Sequence, residues 1–279
     1  MAGIRLVTDS AADLDPKDMA ARKVAIVQLD VRLGDTPPAV TRDWSPEEFW
    51  QHCAETDVLP ETSAPSPGAF QEAFTAARSD GADGVVCVTL SSRLSATYQA
   101  AAAAAEAMSG ELPIVVIDSH SVTMGEGLAV LTGLEAAEAG STLDQVEAAI
   151  RHALAKTYVY GTFDTLDNLR KGGRVGSAQA LIGSLLSIKL VIEIRDGVVE
   201  PESRQRTRTR SLEYLADKVK QAGPVEQLAV IHAAAPDVEV LVDRLAEGFD
   251  RAKILVSYIG PVIGTHSGPG AIGVCYQVA

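Results

Sequence analysis

Three residues far apart in the chain have the chemistry to hold an anion: Thr62 in TSAPSPGAF, Ser95 in LSSRLSATYQ, and His266 in IGPVIGTHSGPGAIGV. The last stretch surrounds its histidine with five glycines and two prolines, a composition that shapes a rigid loop around one ring. The hydroxyls each precede a helical pattern. A helix N-terminus offers unpaired N–H groups and partial positive charge, so hydroxyls gathered there make a carboxylate or phosphate site. N-capping is the plainer reading of either hydroxyl taken singly, and a structural histidine satisfied by its loop is the plainer reading of His266.

Other chemistries fit these residues less well. Gly268, Gly270 and Gly273 spell G-x-G-x-x-G, but a strand-like run, IGVCYQV, follows where a dinucleotide fingerprint needs a helix and a later acidic residue. Ser95 as nucleophile with His266 as base would make an enzyme acting on a carboxylate or phosphate ester. No G-x-S-x-G elbow is present, and no acid can be paired with His266. His52, His120, His152 and His232 have no zinc-like spacing with one another or with Cys53, Cys87 and Cys275, so neither metal nor cofactor is expected. The cysteines are odd in number and far apart, and are read as reduced thiols.

Seven cations fall in two short segments, Arg170, Lys171 and Arg174 in LRKGGR and Arg204, Arg206, Arg208 and Arg210 in RQRTRTR. Alternate arginines on an extended segment point to one side and suit bidentate binding of carboxylate or phosphate. Arg170, Arg174 and Arg206 are therefore candidates for docking an acidic partner or a phosphorylated ligand; a solvated face is the alternative.

The rest of the chain is acidic. A net charge of −13 and an aromatic content of 5% disfavour nucleic acid and anionic membranes, which need basic surface and, for bases, stacking platforms. Apolar content of 47% with 22% charged residues is globular, and 279 residues make two domains the preferred reading. Without a leader-like N-terminus or a long apolar run, a cytoplasmic protein with at most transient membrane contact is expected.

The elements that must position these residues alternate through the first half. Strands are expected in IRLVTDS, VAIVQLDVRL (24–33), GVVCVTL and PIVVIDSH, each followed by a helix. Ser45 and Ser121 serve as caps, and a capping box runs from Ser141 to Asp144. TSAPSPGAF reads as a stiff loop. Such alternation implies a mainly parallel sheet with helices on both faces, whose strand ends could bring Ser10, Ser95 and Ser119 together. The second half gives a helix, a glycine break and an apolar helix in DTLDNLRKGGRVGSAQALIGSLL. A hairpin at Asp196-Gly197 follows, then a helix at 208–222, a strand QLAVIH, a helix at 236–248 and a strand KILVSYI. We place the domains at 1–156 and 157–279, both α/β.

With TDSAADL, TSAPSPGAF, LSSRLSATYQ, VIDSHSVTMGEG, LDNLRKGGRVG and IGPVIGTHSGPGAIGV in this order, the chain resembles the DegV family, which includes the fatty-acid-binding subunits of bacterial fatty acid kinase. The resemblance implies a two-domain fold with an acyl tunnel between the domains, and a carrier without chemistry of its own. It implies a long-chain fatty acid of C16 to C18 whose carboxylate is held by Thr62, Ser95 and His266, with Ser63, Ala96 and Thr265 in support, presented to a separate kinase for acyl phosphate formation. A lipid-sensing regulator is a further alternative. Ala96 stands where the family commonly has Gly, and KLVIEI lacks the Lys-Pro that often starts that strand. The implied ligand is physically reasonable: at ~0.8 kcal/mol per buried methylene, about 14 methylenes contribute on the order of 11 kcal/mol before binding costs.

Overall fold

The computed structural model describes residues 3–56, 58–181 and 188–279. In chain order the first half comprises β1 (Ile4–Asp9), α1 (Pro16–Ala21), β2 (Ala25–Val27), β3 (Asp30–Arg32), α2 (Pro38–Thr41), α3 (Pro46–Ala54), β4 (Glu61–Ser63), α4 (Pro67–Ser79), β5 (Gly84–Thr89), α5 (Thr97–Ala107), β6 (Ile114–Asp118), α6 (Met124–Glu138) and α7 (Leu143–Ala155). The second comprises β7 (Thr157–Thr162), α8 (Asp167–Lys171), β8 (Lys189–Arg195), β9 (Val198–Gln205), α9 (Arg208–Gln221), β10 (Val225–His232), α10 (Val238–Ala246), β11 (Ile254–Tyr258), α11 (Pro261–Ser267) and β12 (Ile272–Val278).

The first sheet is parallel throughout, in the order β2-β1-β5-β6. Every residue of β5 is buried, which explains its unbroken apolar run. One face packs on α4 and α5, where Ala100, Ala101 and Ala104 let the alanine-rich helix lie close to the strands; the other packs on α6 and α7 through Leu134, Val146 and Ile150. The second sheet has the order β11-β10-β12-β7-β8-β9 and is antiparallel except for β10 with β11. Helix α6 lies between the sheets. Ala129 and Val130 belong to the first core, while Met124 and Leu128 pack with Val159, Ile231 and Cys275 of the second sheet. This is why MGEGLAVLTGLEAAE is apolar on more than one side. Among the described residues no helix is long and apolar enough to cross a membrane.

The expected elements are found, with several local corrections. The run 24–33 is two strands, because β2 pairs with β1 while β3 leaves the sheet to pair antiparallel with β4. The Leu29 amide freed at the break donates to the Ser10 hydroxyl at 3.0 Å. The stretch read as a loop around Thr62 is therefore β4. Thr123, not Ser121, caps α6, and the capping box of α7 is Thr142 with Gln145, one residue beyond the Ser141–Asp144 expectation. The glycine-rich stretch is not a loop throughout, since seven of its residues form α11. The alternating arginines do not share an extended segment: β9 ends at Gln205, Thr207 caps α9, and Arg208 and Arg210 lie on that helix. Residues 176–181 form a short 3-10 segment, and the rest of the expected apolar helix lies outside the described residues. The Asp196-Gly197 hairpin is found as expected, with both residues at positive φ, the geometry of a type I′ turn.

Candidate functional site

Two acidic strand ends build the loop that presents Ser95. Asp9, closing β1, accepts the Leu90 amide at 2.9 Å, and Asp118, closing β6, accepts the Ser92 amide at 3.1 Å. The loop between β5 and α5 is thus held from both neighbouring strands. Thr62 comes from β4, opposite Val31 of β3. His266 comes from the last turn of α11, which α8 steadies through a bond from the Asn168 amide to the Thr265 carbonyl at 3.0 Å.

These elements meet at a cavity of about 330 Å³, within the range usual for small-molecule sites. Its walls are largely aliphatic and come from both halves: Leu29, Leu90, Leu94 and Val122 from the first, Val159, Gly161, Ile192, Ile194 and Ile231 from the second sheet, and Val262 and Ile263 from α11, with Tyr160 and Phe163 as the aromatic members. Its polar groups include Thr62, Ser63, Ser95, Thr123, Arg174, His266 and Ser267.

Thr62 Oγ1 lies 2.9 Å from His266 Nε2. Neither Thr62 nor Ser95 caps a helix. Ser66 caps α4, and the cap position of α5 is Ala96, which makes no side-chain bond. Burial, reinforced by the Arg174 guanidinium, pushes the His266 imidazole down to about 4, so the ring is neutral at pH 7. Its Nδ1 and the Ser267 hydroxyl are buried without a hydrogen-bond partner among the described residues. Arg174 donates from Nε to the Leu94 carbonyl at 3.2 Å and from Nη1 to the Gly172 carbonyl at 2.6 Å, which fixes a cation beside the Ser95 loop. A carboxylate accepts only, so it needs the donors this end supplies: hydroxyls, an imidazole N–H and a guanidinium. The full apparatus for a serine nucleophile is not assembled. Ser95 Oγ bonds Thr97 Oγ1 at 2.9 Å, His266 bonds Thr62 instead, and among the described residues no carboxylate orients the ring.

The structure gathers Thr62, Ser63, Ser95, Ala96 and His266 on one cavity. Thr265 is buried next to it, with its hydroxyl committed to the Pro261 carbonyl at 2.8 Å. Of the residues read as a docking patch, Arg174 lines this cavity, while Arg170 and Arg206 are exposed. Arg208 forms a bidentate pair with Asp237, both bonds 2.9 Å, and Arg210 pairs with Glu213 at 3.0 Å. Ser10 and Ser119 serve local structure, Ser119 accepting the Ser121 amide at 3.0 Å. Sequence reasoning did not place Arg174 or Ser267 at the site. The signal for Ser267 was its position directly after His266; for Arg174 it was the KGGR turn, whose Gly172 leaves room for the imidazole.

Comparison with known proteins agrees with this architecture. A DegV domain-containing protein of Streptomyces coelicolor is 38% identical over 277 residues, covering 97% of each chain. Among solved structures, the chain is similar to a DegV family protein from Thermus thermophilus described for its fatty acid binding, with a TM-score of 0.89, 29% identity, and coverage of 99% of this chain and 100% of the other. It is also similar to DegV of Bacillus subtilis, described as a fatty acid binding protein, with a TM-score of 0.87, 28% identity and complete coverage of both chains. A stearic acid-binding protein from Eubacterium ventriosum gives a TM-score of 0.84 at 25% identity, covering 100% of this chain and 98% of the other. The profile described as "Uncharacterised protein, DegV family" matches residues 3–279, and the chain belongs to that family.

Proposed function

We propose that this protein binds one long-chain fatty acid, the acyl chain in the aliphatic cavity and the carboxylate among Thr62, Ser95 and His266. The observation that carries the reading is the Thr62–His266 pair, 2.9 Å apart beside the Arg174 guanidinium, on a cavity walled largely by Leu, Val and Ile. The tail supplies most of the affinity through burial, and the head group supplies orientation. The family relatives described as fatty-acid-binding support the same ligand class. Native mass spectrometry of the purified protein, followed by extraction and identification of released lipid, tests the reading. A stoichiometric fatty acid is expected; a protein that is empty and refuses added fatty acids overturns it.

We further propose that residues 1–156 and 157–279 act as two domains with the ligand at their junction. The protein is then a cytoplasmic carrier, without cofactor or chemistry of its own, that presents the carboxylate to a fatty acid kinase. Exposed Arg170 and Arg206 are the candidate docking cations. Reversing both to glutamate should abolish coupling to the kinase while fatty acid is retained; coupling that survives removes this surface from the proposal.

A further inference from the structure

Helix α11 is too short to hold its own position. Seven residues close few intrahelical bonds, and its cap residue, Gly260, brings no side chain to the free amides of the first turn. That turn is held from the first half of the chain instead. Asp13 accepts the Gly260 amide on Oδ1 at 2.9 Å, and its carbonyl oxygen accepts the Ser257 hydroxyl at 2.6 Å.

The arrangement is costly by itself. Asp13 adopts φ +52°, a conformation uncommon outside glycine, and its Oδ2 is buried with no partner among the described residues. Two more buried acids, Asp9 and Glu126, act on the same region, and burial holds the Asp13 carboxyl well above the usual carboxylate range. His266 follows Gly260 by six residues, roughly 9 Å along the axis, so a shift of the first turn is carried directly to the imidazole. We infer that Asp13 is a positioning residue for the head-group site: it anchors the first turn of α11 from the first half of the chain and thereby sets where His266 stands against Thr62.

The inference rests on the proposed carboxylate site for only one of its two readouts. The first is the titration of the His266 ring, followed by NMR in ligand-free protein. The ring is faced by Thr62 and Arg174, and its midpoint in the native protein is about 4. The second readout is palmitate affinity. Asp13→Ala removes the anchor. Gly260→Ala leaves Asp13 in place but puts a methyl group 2.9 Å from Oδ1, forcing the contact apart. Both should raise the His266 midpoint toward the ordinary 6.5 and weaken palmitate binding about tenfold. Asp13→Asn keeps a carbonyl acceptor for Gly260 and should titrate as the native protein does. Ile150→Ala is the control for lost stability, since Ile150 is fully buried in the first core on α7 and lines neither α11 nor the cavity. A midpoint still near 4 in Asp13→Ala or Gly260→Ala overturns the inference, as does an equal movement in Ile150→Ala. If Asp13→Ala does not fold, Gly260→Ala decides alone. A raised midpoint with unchanged palmitate affinity upholds the anchoring and removes the carboxylate site.

Discussion

Thr62→Val tests the head-group assignment with little change of shape. Valine suits a strand, and Val31 opposite it in β3 is already buried, so β4 should persist. The ligand-free protein loses the 2.9 Å bond to His266 and leaves both ring nitrogens unpaired, which costs about 1–3 kcal/mol of stability. The larger effect is on the ligand. A hydrogen bond to a charged group contributes roughly 1.5–3 kcal/mol, so removing one donor from a bound carboxylate weakens binding about 10- to 150-fold. A fatty acid methyl ester has the same tail but no charge, and its affinity should change less than about twofold. Isothermal titration calorimetry at pH 7, where His266 is neutral, compares the acid with its ester; Thr62→Ser should restore acid binding. Equal weakening of acid and ester, or no weakening of either, would refute the idea that Thr62 faces the carboxylate.

Two further predictions concern stability. Burial and the charge of Asp9 hold the Glu126 carboxyl well above its ordinary 4.5, and burial raises Asp9 to about 7. The folded chain therefore keeps protons that the unfolded chain releases, and their contribution, complete below about pH 4, declines as pH rises through 7. Glu126→Gln keeps an acceptor for the Thr8 hydroxyl and should gain about 1–3 kcal/mol at pH 8, with a flatter profile between pH 5 and 8 in urea titrations; an unchanged slope would refute this. Gly197 sits at φ +79° in a hairpin turn docked on the first half, where its carbonyl accepts the Ser91 hydroxyl at 2.7 Å. Gly197→Ala would put a methyl group 3.0 Å from His120 Nδ1, and should cost about 1–3 kcal/mol by urea denaturation. A loss below 0.5 kcal/mol would mean that the turn is free to move aside.

What the sequence made legible follows the range of the interactions involved. Runs such as GVVCVTL declare themselves because a strand covered on both faces is apolar at every position, and Asp196-Gly197 declares itself because few dipeptides accept two positive φ angles. Caps were legible to within a residue or two: Ser141 and Thr142 both carry hydroxyls, and only the bond to Gln145 decides between them. The split between Val27 and Asp30 was not legible, because it depends on Ser10 taking the Leu29 amide from another loop. Nor was α11, whose glycines argue against a helix and whose anchors, Asp13 and Asn168, lie far away in the chain. Thr62, Ser95 and His266, the residues proposed for the head group, stood out as hydroxyls before helical patterns and a histidine among glycines, and the family resemblance gave them a shared carboxylate. Arg174, which shares their cavity, was read as a docking cation on the surface, since nothing local reveals that its guanidinium turns inward toward the Leu94 carbonyl.

The position of β12 has a consequence for biosynthesis. It lies between β10 and β7, near the middle of the second sheet, yet it is the last strand of the described chain to be translated. The first sheet is complete by Asp118 and can assemble while the ribosome is still producing the remainder. The second must wait with β7 and β10 unjoined, two edges open to wrong pairings, until residues 272–278 emerge and close the gap. The cavity, lined by Ile231 and Val159 from either side of that gap and by Ile272 within it, is among the last parts of the molecule to exist.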